Sequence, residues 1–252
     1  MDQKDNMTKE LPVIEEREGQ VIVNPEIDRL EKPMEVILEK ILPDIENGRY
    51  DLIIGIDASG RLPTLATNKF IKYIYQEKGY ELPKTIFMAG AGMGWMGLED
   101  NQISSALLLK KEKIREYLER FNSKKALIVE DTIVKGSSIK FLCEILAERK
   151  IPFDVISVSG LKDKEGLGEK ARVLGAERII TGTKEGIGIY GSHHLGGVIK
   201  NEDDLFSRPA KYYSEGIEDE IKTQETINQA RKDVDIVVSQ LVDWYKSKES
   251  EK

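Results

Sequence analysis

Two short segments contain residues whose types and spacing could do chemistry. In the first, an apolar run from Ala126 to Val129 ends in two adjacent carboxylates, Glu130 and Asp131. A short stretch through Thr132, Val134 and Lys135 then reaches Gly136, Ser137 and Ser138, read as the start of a helix. The glycine lets an anion approach the backbone, the serines offer hydroxyls, and free N–H groups at a helix start favour phosphate. Carboxylates touching that phosphate would repel it, so they are better suited to accept hydrogen bonds from hydroxyls about one sugar away. Strand, acidic pair, turn and phosphate cup together describe a site for a ribose 5-phosphate. The same residues also read as a polar strand end with Asp131 capping a turn, followed by a plain helix start.

The second segment lies one strand–helix unit upstream. An apolar run ends at Asp57, and Ala58, Ser59, Gly60 and Arg61 precede Leu62 and Pro63. The guanidinium of Arg61 is of the kind that makes forked contacts with phosphate groups. The plainer alternative is a strand–helix turn with Ser59 as cap and Pro63 in the first helical turn. Further on, Gly182–Gly197 holds six glycines with Tyr190, His193 and His194 between them. The adjacent histidines invite a metal, but without a third ligand nearby they read better as surface or ligand-contacting groups. Gly90–Gly97, with Trp95, reads either as a hinged lid or as a surface loop packed on the core. Cys143 stands alone on an apolar helix, which excludes an internal disulfide framework and favours a core role.

These loops need a scaffold. Apolar runs at Tyr50–Ile56, Thr85–Ala89, Ala126–Val129, Phe153–Ser159 and Arg178–Thr181 show little polar alternation, the pattern of strands buried on both faces. Helical periodicity falls between them, over Leu62–Glu77, Lys110–Phe121 and Ser138–Arg149, with another such stretch at Pro33–Asn47. Strands alternating with helices predict an α/β fold: an open, mostly parallel twisted sheet with helices on both faces. Ligands of such sheets bind beyond the C-terminal ends of the strands, where both segments lie. Residues 1–24 read as a flexible arm, 25–214 as the α/β domain, and 215–252 as a long helix whose apolar stripe must cover this chain or a second copy. The chain has 252 residues, with 38 basic against 45 acidic side chains and a net charge of −7, which makes nucleic acid an unlikely partner. No apolar run approaches the ~20 residues that span a bilayer, so no membrane role and a cytoplasmic location are expected.

The segment 126–139 resembles the phosphoribosyl-pyrophosphate (PRPP) binding motif of the type I phosphoribosyltransferases. In that family an apolar strand ends in two acidic residues, followed by a loop rich in Thr and Gly. The resemblance gives Glu130 and Asp131 the ribose hydroxyls, and Lys135, Gly136, Ser137 and Ser138 the 5-phosphate, with Thr132 and Val134 in the same loop. This sequence departs from the family in carrying Glu130 for the commoner Asp, Lys135 for Thr and Ser137 for Gly. Asp57–Arg61 is similar to the loop that binds the pyrophosphate of PRPP, with Arg61 after the glycine rather than before it. The family's C-terminal hood, which holds the base, implies base contacts for Tyr190 and His193. The resemblance thus implies transfer of a 5-phosphoribosyl group from PRPP to a nitrogen nucleophile such as a nucleobase. It also implies Mg²⁺, held mainly through PRPP with Glu130 and Asp131, and a homodimer. The alternative is a regulator of the same fold that senses PRPP or a nucleotide without turnover.

Overall fold

Strands without polar alternation must be covered on both faces, and five such runs form one sheet. The computed structural model describes residues 21–57, 59–89, 100–133, 136–160, 165–185 and 220–251. Two helices, α1 (Pro25–Asp28) and α2 (Glu31–Glu46), lead into β1 (Leu52–Asp57). Then follow α3 (Arg61–Lys78), β2 (Lys84–Ala89), α4 (Asp100–Leu118), β3 (Ala126–Ile133) and α5 (Lys140–Glu148). The chain continues through β4 (Phe153–Gly160), α6 (Glu165–Leu174), β5 (Arg178–Thr183) and α7 (Glu220–Ser250). All pairings are parallel, in the order β2-β1-β3-β4-β5.

Successive residues of a strand point to opposite faces, and here each set meets its own layer of helices. Ile53, Leu127, Val129, Ile156 and Val158 pack with α1, α2, α3 and α7. Leu52, Ile54, Ile128, Val155 and Ile179 pack with α4, α5 and α6. The expected doubly covered α/β sheet is the observed one. Cys143 is wholly buried in the second layer, where burial pushes its thiol up to about 12.

Element ends differ from expectation at three places that matter. β3 runs on to Ile133, so Glu130 and Asp131 sit inside the strand rather than beyond it. Residues 137–139 form a turn, and α5 begins only at Lys140. The helix α6 has no counterpart in the periodicity, because Gly166 and Gly168 dilute its short apolar face.

The stripe on α7 covers this chain's own body. Ala230, Val234, Val237, Leu241 and Tyr245 are buried against α1, α2 and α3. At its centre the fully buried Asp233 accepts hydrogen bonds from the Asn24 amide (2.8 Å), the Asn24 side chain (2.6 Å) and Gln229 (2.8 Å). Asn24 is the residue that opens α1, so one carboxylate ties segments 209 positions apart.

The N-terminal end of the sheet carries a buried polar knot, on the opposite side from the strand-to-helix loops. The fully buried Asp154 accepts from Tyr50 Oη at 2.5 Å and pairs with Lys125 at 3.0 Å and Arg178 at 2.6 Å. Arg178 also pairs with Asp44 of α2. Burial alone would raise the Asp154 carboxyl. The hydrogen bonds from Arg178, Tyr50 and Lys125 outweigh it and hold the group below its ordinary range. The knot fastens α2, β4 and β5 to Tyr50 and Lys125, which lie just before β1 and β3. No helix among the described residues is long and apolar enough to cross a membrane.

Candidate functional site

β1 and β3 are neighbours in register from Leu52↔Ala126 to Gly55↔Val129. Their C-terminal ends, and the loops that follow, are therefore brought side by side by the pairing alone. The turn after β1 is seated directly on those ends. Gly60 donates its amide to the Ile56 carbonyl at 3.0 Å, and a Cβ there would stand 2.4 Å from that oxygen and 3.1 Å from Val129 O. Gly60 has an ordinary φ of −71°, so space and not backbone angle requires glycine. Its amide is used within the turn.

Ser59, the alternative helix cap, does not cap α3. The hydroxyl crosses to the neighbouring strand and donates to Asp131 Oδ1 at 2.6 Å. The helix starts from Gly60, whose carbonyl accepts from the Thr64 amide (3.0 Å) and the Thr64 hydroxyl (2.6 Å). Arg61 is the first helical residue, and its guanidinium carbon lies 4.6 Å from the centre of the Phe87 ring.

Because Glu130 and Asp131 lie within a strand, they point to opposite sides of it. Asp131, half-exposed, turns toward Ser59 and the β1 loop. Glu130 is buried and turns toward the loop before α5, where Ser138 Oγ lies 3.5 Å from its Oε1. Thr132 follows Glu130's side and meets the Ser159 hydroxyl of β4 at 3.0 Å. The acidic pair therefore straddles the strand end, one carboxylate per loop.

Gly136 adopts φ +77°, a left-handed conformation that glycine takes without cost and other residues resist. It sits with its α-carbon toward α6, where a Cβ would meet Leu174 at 3.3 Å and Lys170 at 3.8 Å. Ser137 is exposed and Ser138 half-buried at the rim of the same turn.

The structure thus joins Ser59 to Asp131 on one side of β3 and sets Ser138 beside Glu130 on the other, with Gly60 and Arg61 following Ser59, Thr132 beside Ser159, and Gly136 and Ser137 preceding Ser138. Asp57 ends β1 at this point. Ala58, Val134, Lys135, Tyr190 and His193 lie outside the described residues, as do His194 and Trp95. Asp131 offers a hard oxygen of the kind Mg²⁺ takes. Among the described residues, no group of three acidic, histidine or cysteine side chains converges. Phe87 belongs to neither motif. The signal that points to it is Gly55, a glycine inside an otherwise apolar strand, which marks a close approach by something else.

No protein-family model matches the sequence, and no curated protein does. Among solved structures the chain is similar to TT1426 from Thermus thermophilus, at 12% identity and a TM-score of 0.36. That likeness covers 64% of this chain and 88% of the other. A superposition this loose carries no inference about function.

Proposed function

We propose that the protein is a phosphoribosyltransferase that moves a 5-phosphoribosyl group from PRPP to a nitrogen nucleophile, with release of pyrophosphate. The observation that supports this most directly is the hydrogen bond from Ser59 to Asp131. The segment assigned to the diphosphate and the segment assigned to the ribose meet at the adjacent ends of β1 and β3, as a single substrate spanning both requires. Had the two loops faced different sides of the sheet, the two resemblances would have been unrelated coincidences.

In this reaction the acceptor nitrogen bonds to C1 of the ribose as the C1–O bond breaks. The bonding pair leaves with the diphosphate, and the nitrogen's proton passes to solvent. Positive charge builds on the ribose ring, and Asp131 stands where a carboxylate can hold the ring hydroxyls and offset that charge. The turn of Gly136, Ser137 and Ser138 anchors the 5-phosphate, so binding far from C1 orients the reacting carbon. Arg61 meets the leaving diphosphate. Mg²⁺, when bound, would neutralise diphosphate charge, and Asp131 would hold it together with substrate oxygens and water.

The test is pyrophosphate release from PRPP with Mg²⁺ across a panel of nucleobases and amines. Release dependent on one acceptor is the expected result. Tight PRPP binding without release would favour the sensing regulator, and no binding would reject both.

A further inference from the structure

Three strands change character together at their C-terminal ends. Ile128, Val155 and Ile179 form one aligned apolar row across β3, β4 and β5, packed with α4, α5 and α6. The next two rows on that face are polar: Glu130, Ser157 and Thr181, then Thr132, Ser159 and Thr183. The two serines of β4 are nonetheless buried. Valine at either place would bury more apolar surface and ask for no partner. Each serine has one. Ser157 donates to the Ser159 carbonyl at 2.6 Å, and the hydroxyls of Ser159 and Thr132 are hydrogen-bonded at 3.0 Å.

Gly160, which follows in β4, leaves no room for a side chain, because a Cβ there would collide with the Thr181 methyl. The end of β4 is thus held by β5 on one side and by its own Ser157 within the strand. It makes a firm post for the end of β3. Across the pair Thr132 is exposed, and Ile133 closes the strand. Strand ends open easily unless something ties them. The turn Gly136–Ser138 lies just past this end, so its freedom depends on how firmly Thr132 and Ile133 stay paired with β4. A turn that must be ordered by its ligand gives up affinity to that ordering, and one already held does not.

We propose that Ser159 is a positioning residue for the 5-phosphate of PRPP: through Thr132 it ties down the end of β3, so the turn Gly136–Ser138 meets the phosphate already ordered. This rests on the assignment of the site to PRPP. The ordering is needed as soon as substrate binds and stays the same through bond breaking, so its loss raises KM and leaves kcat alone. The turn after β1 does not depend on this pair, so affinity for pyrophosphate should not follow.

The experiment uses the full chain as wild type, Ser159→Ala, Thr132→Val and the double variant. It measures Kd for ribose 5-phosphate and for magnesium pyrophosphate by calorimetry, and KM and kcat with PRPP. Ser159→Ala should raise Kd for ribose 5-phosphate and KM for PRPP about fivefold, the equivalent of about 1 kcal/mol for one hydrogen bond. Its kcat and its Kd for magnesium pyrophosphate should stay within twofold of wild type. The double variant should bind ribose 5-phosphate no more weakly than the poorer single variant, since both remove one bond. Thr132→Val breaks the bond from its exposed side and carries the test if Ser159→Ala does not fold. Unchanged ribose 5-phosphate affinity in the folded variants, an equal loss for pyrophosphate, or losses that add in the double variant would overturn the tie while leaving the PRPP assignment intact. A folded wild type that binds neither PRPP, ribose 5-phosphate nor pyrophosphate overturns both.

Discussion

Ser59 Oγ and Asp131 Oδ1, 72 residues apart in the chain, stand 2.6 Å from each other across the ends of two neighbouring strands. A hydrogen bond to a charged partner contributes at most about 1.5–3 kcal/mol, and less where solvent reaches it. Under the proposed function a ribose hydroxyl would take the place of the serine on Asp131 at modest cost. Without a ligand the serine keeps that carboxylate oriented.

Replacing Asp131 by Asn keeps the shape and the contact with Ser59 but removes the charge that the proposed function sets against the sugar. Turnover of PRPP should fall about a hundredfold, the range seen when one electrostatic group is removed from a reacting centre. The melting temperature should stay close to wild type, because the residue sits at a half-exposed strand end. Wild-type pyrophosphate release by the variant would remove Asp131 from the reaction.

Two glycines should answer alanine substitution with opposite signs. At Gly60 the new methyl would enter the space of Ile56 O and Val129 O, and urea denaturation should show a loss of about 1–3 kcal/mol, as overpacking usually does. Gly168 lies inside α6 with nothing within 4 Å of a would-be Cβ. Gly168→Ala should stabilise by about 0.5–1 kcal/mol through helix preference alone. A stable Gly60→Ala would mean the turn does not sit on the strand ends.

Asp154 makes the polar knot sensitive to acid in a predictable direction. Its carboxyl is held below the ordinary range in the folded chain, so its contribution is complete above the unfolded value of about 3.9 and is lost as pH falls through the folded value. Asp154→Asn should cost about 3 kcal/mol at pH 7, since Lys125 and Arg178 each lose their most deeply buried partner. Denaturation measured from pH 7 down to pH 2 should show the variant converging toward wild type at the acid end. A constant gap across that range would deny the linkage.

Burial gives Cys143 a thiol pushed up to about 12 and no access to solvent. Native protein at pH 8 should react with an aromatic disulfide reagent only as fast as it opens, and one thiol should appear at once in denaturant. Rapid native reaction would place the cysteine outside the core.

The five strands were legible because their coverage by helices on both faces leaves a plain signature, continuous Leu, Ile and Val. The last residues of β3 were not, since Glu130, Asp131 and Thr132 carry no apolar mark although they continue the ladder with β4 as far as Thr132↔Ser159 and Ile133↔Gly160. That extension decides the chemistry, because it splits the acidic pair between two loops. Both loop motifs could be located along the chain, but their meeting depends on β3 pairing with β1, a tertiary fact. Arg61 over Phe87 was hidden for the same reason: register across the sheet, not spacing along the chain, unites them. The polar knot at Asp154 likewise draws on residues from α2, β4, β5 and the segment before β3 that share no local pattern.

The bond between Asn24 and Asp233 has a bearing on how the molecule is made. The helices α1, α2 and α3 emerge from the ribosome early, with one flank built to receive Val234, Val237 and Leu241. That flank stays bare until Glu220–Ser250 has been synthesised, at about 5–20 residues per second. Throughout that interval the nascent chain presents a greasy groove of its own making, which makes it a natural client for a holding chaperone.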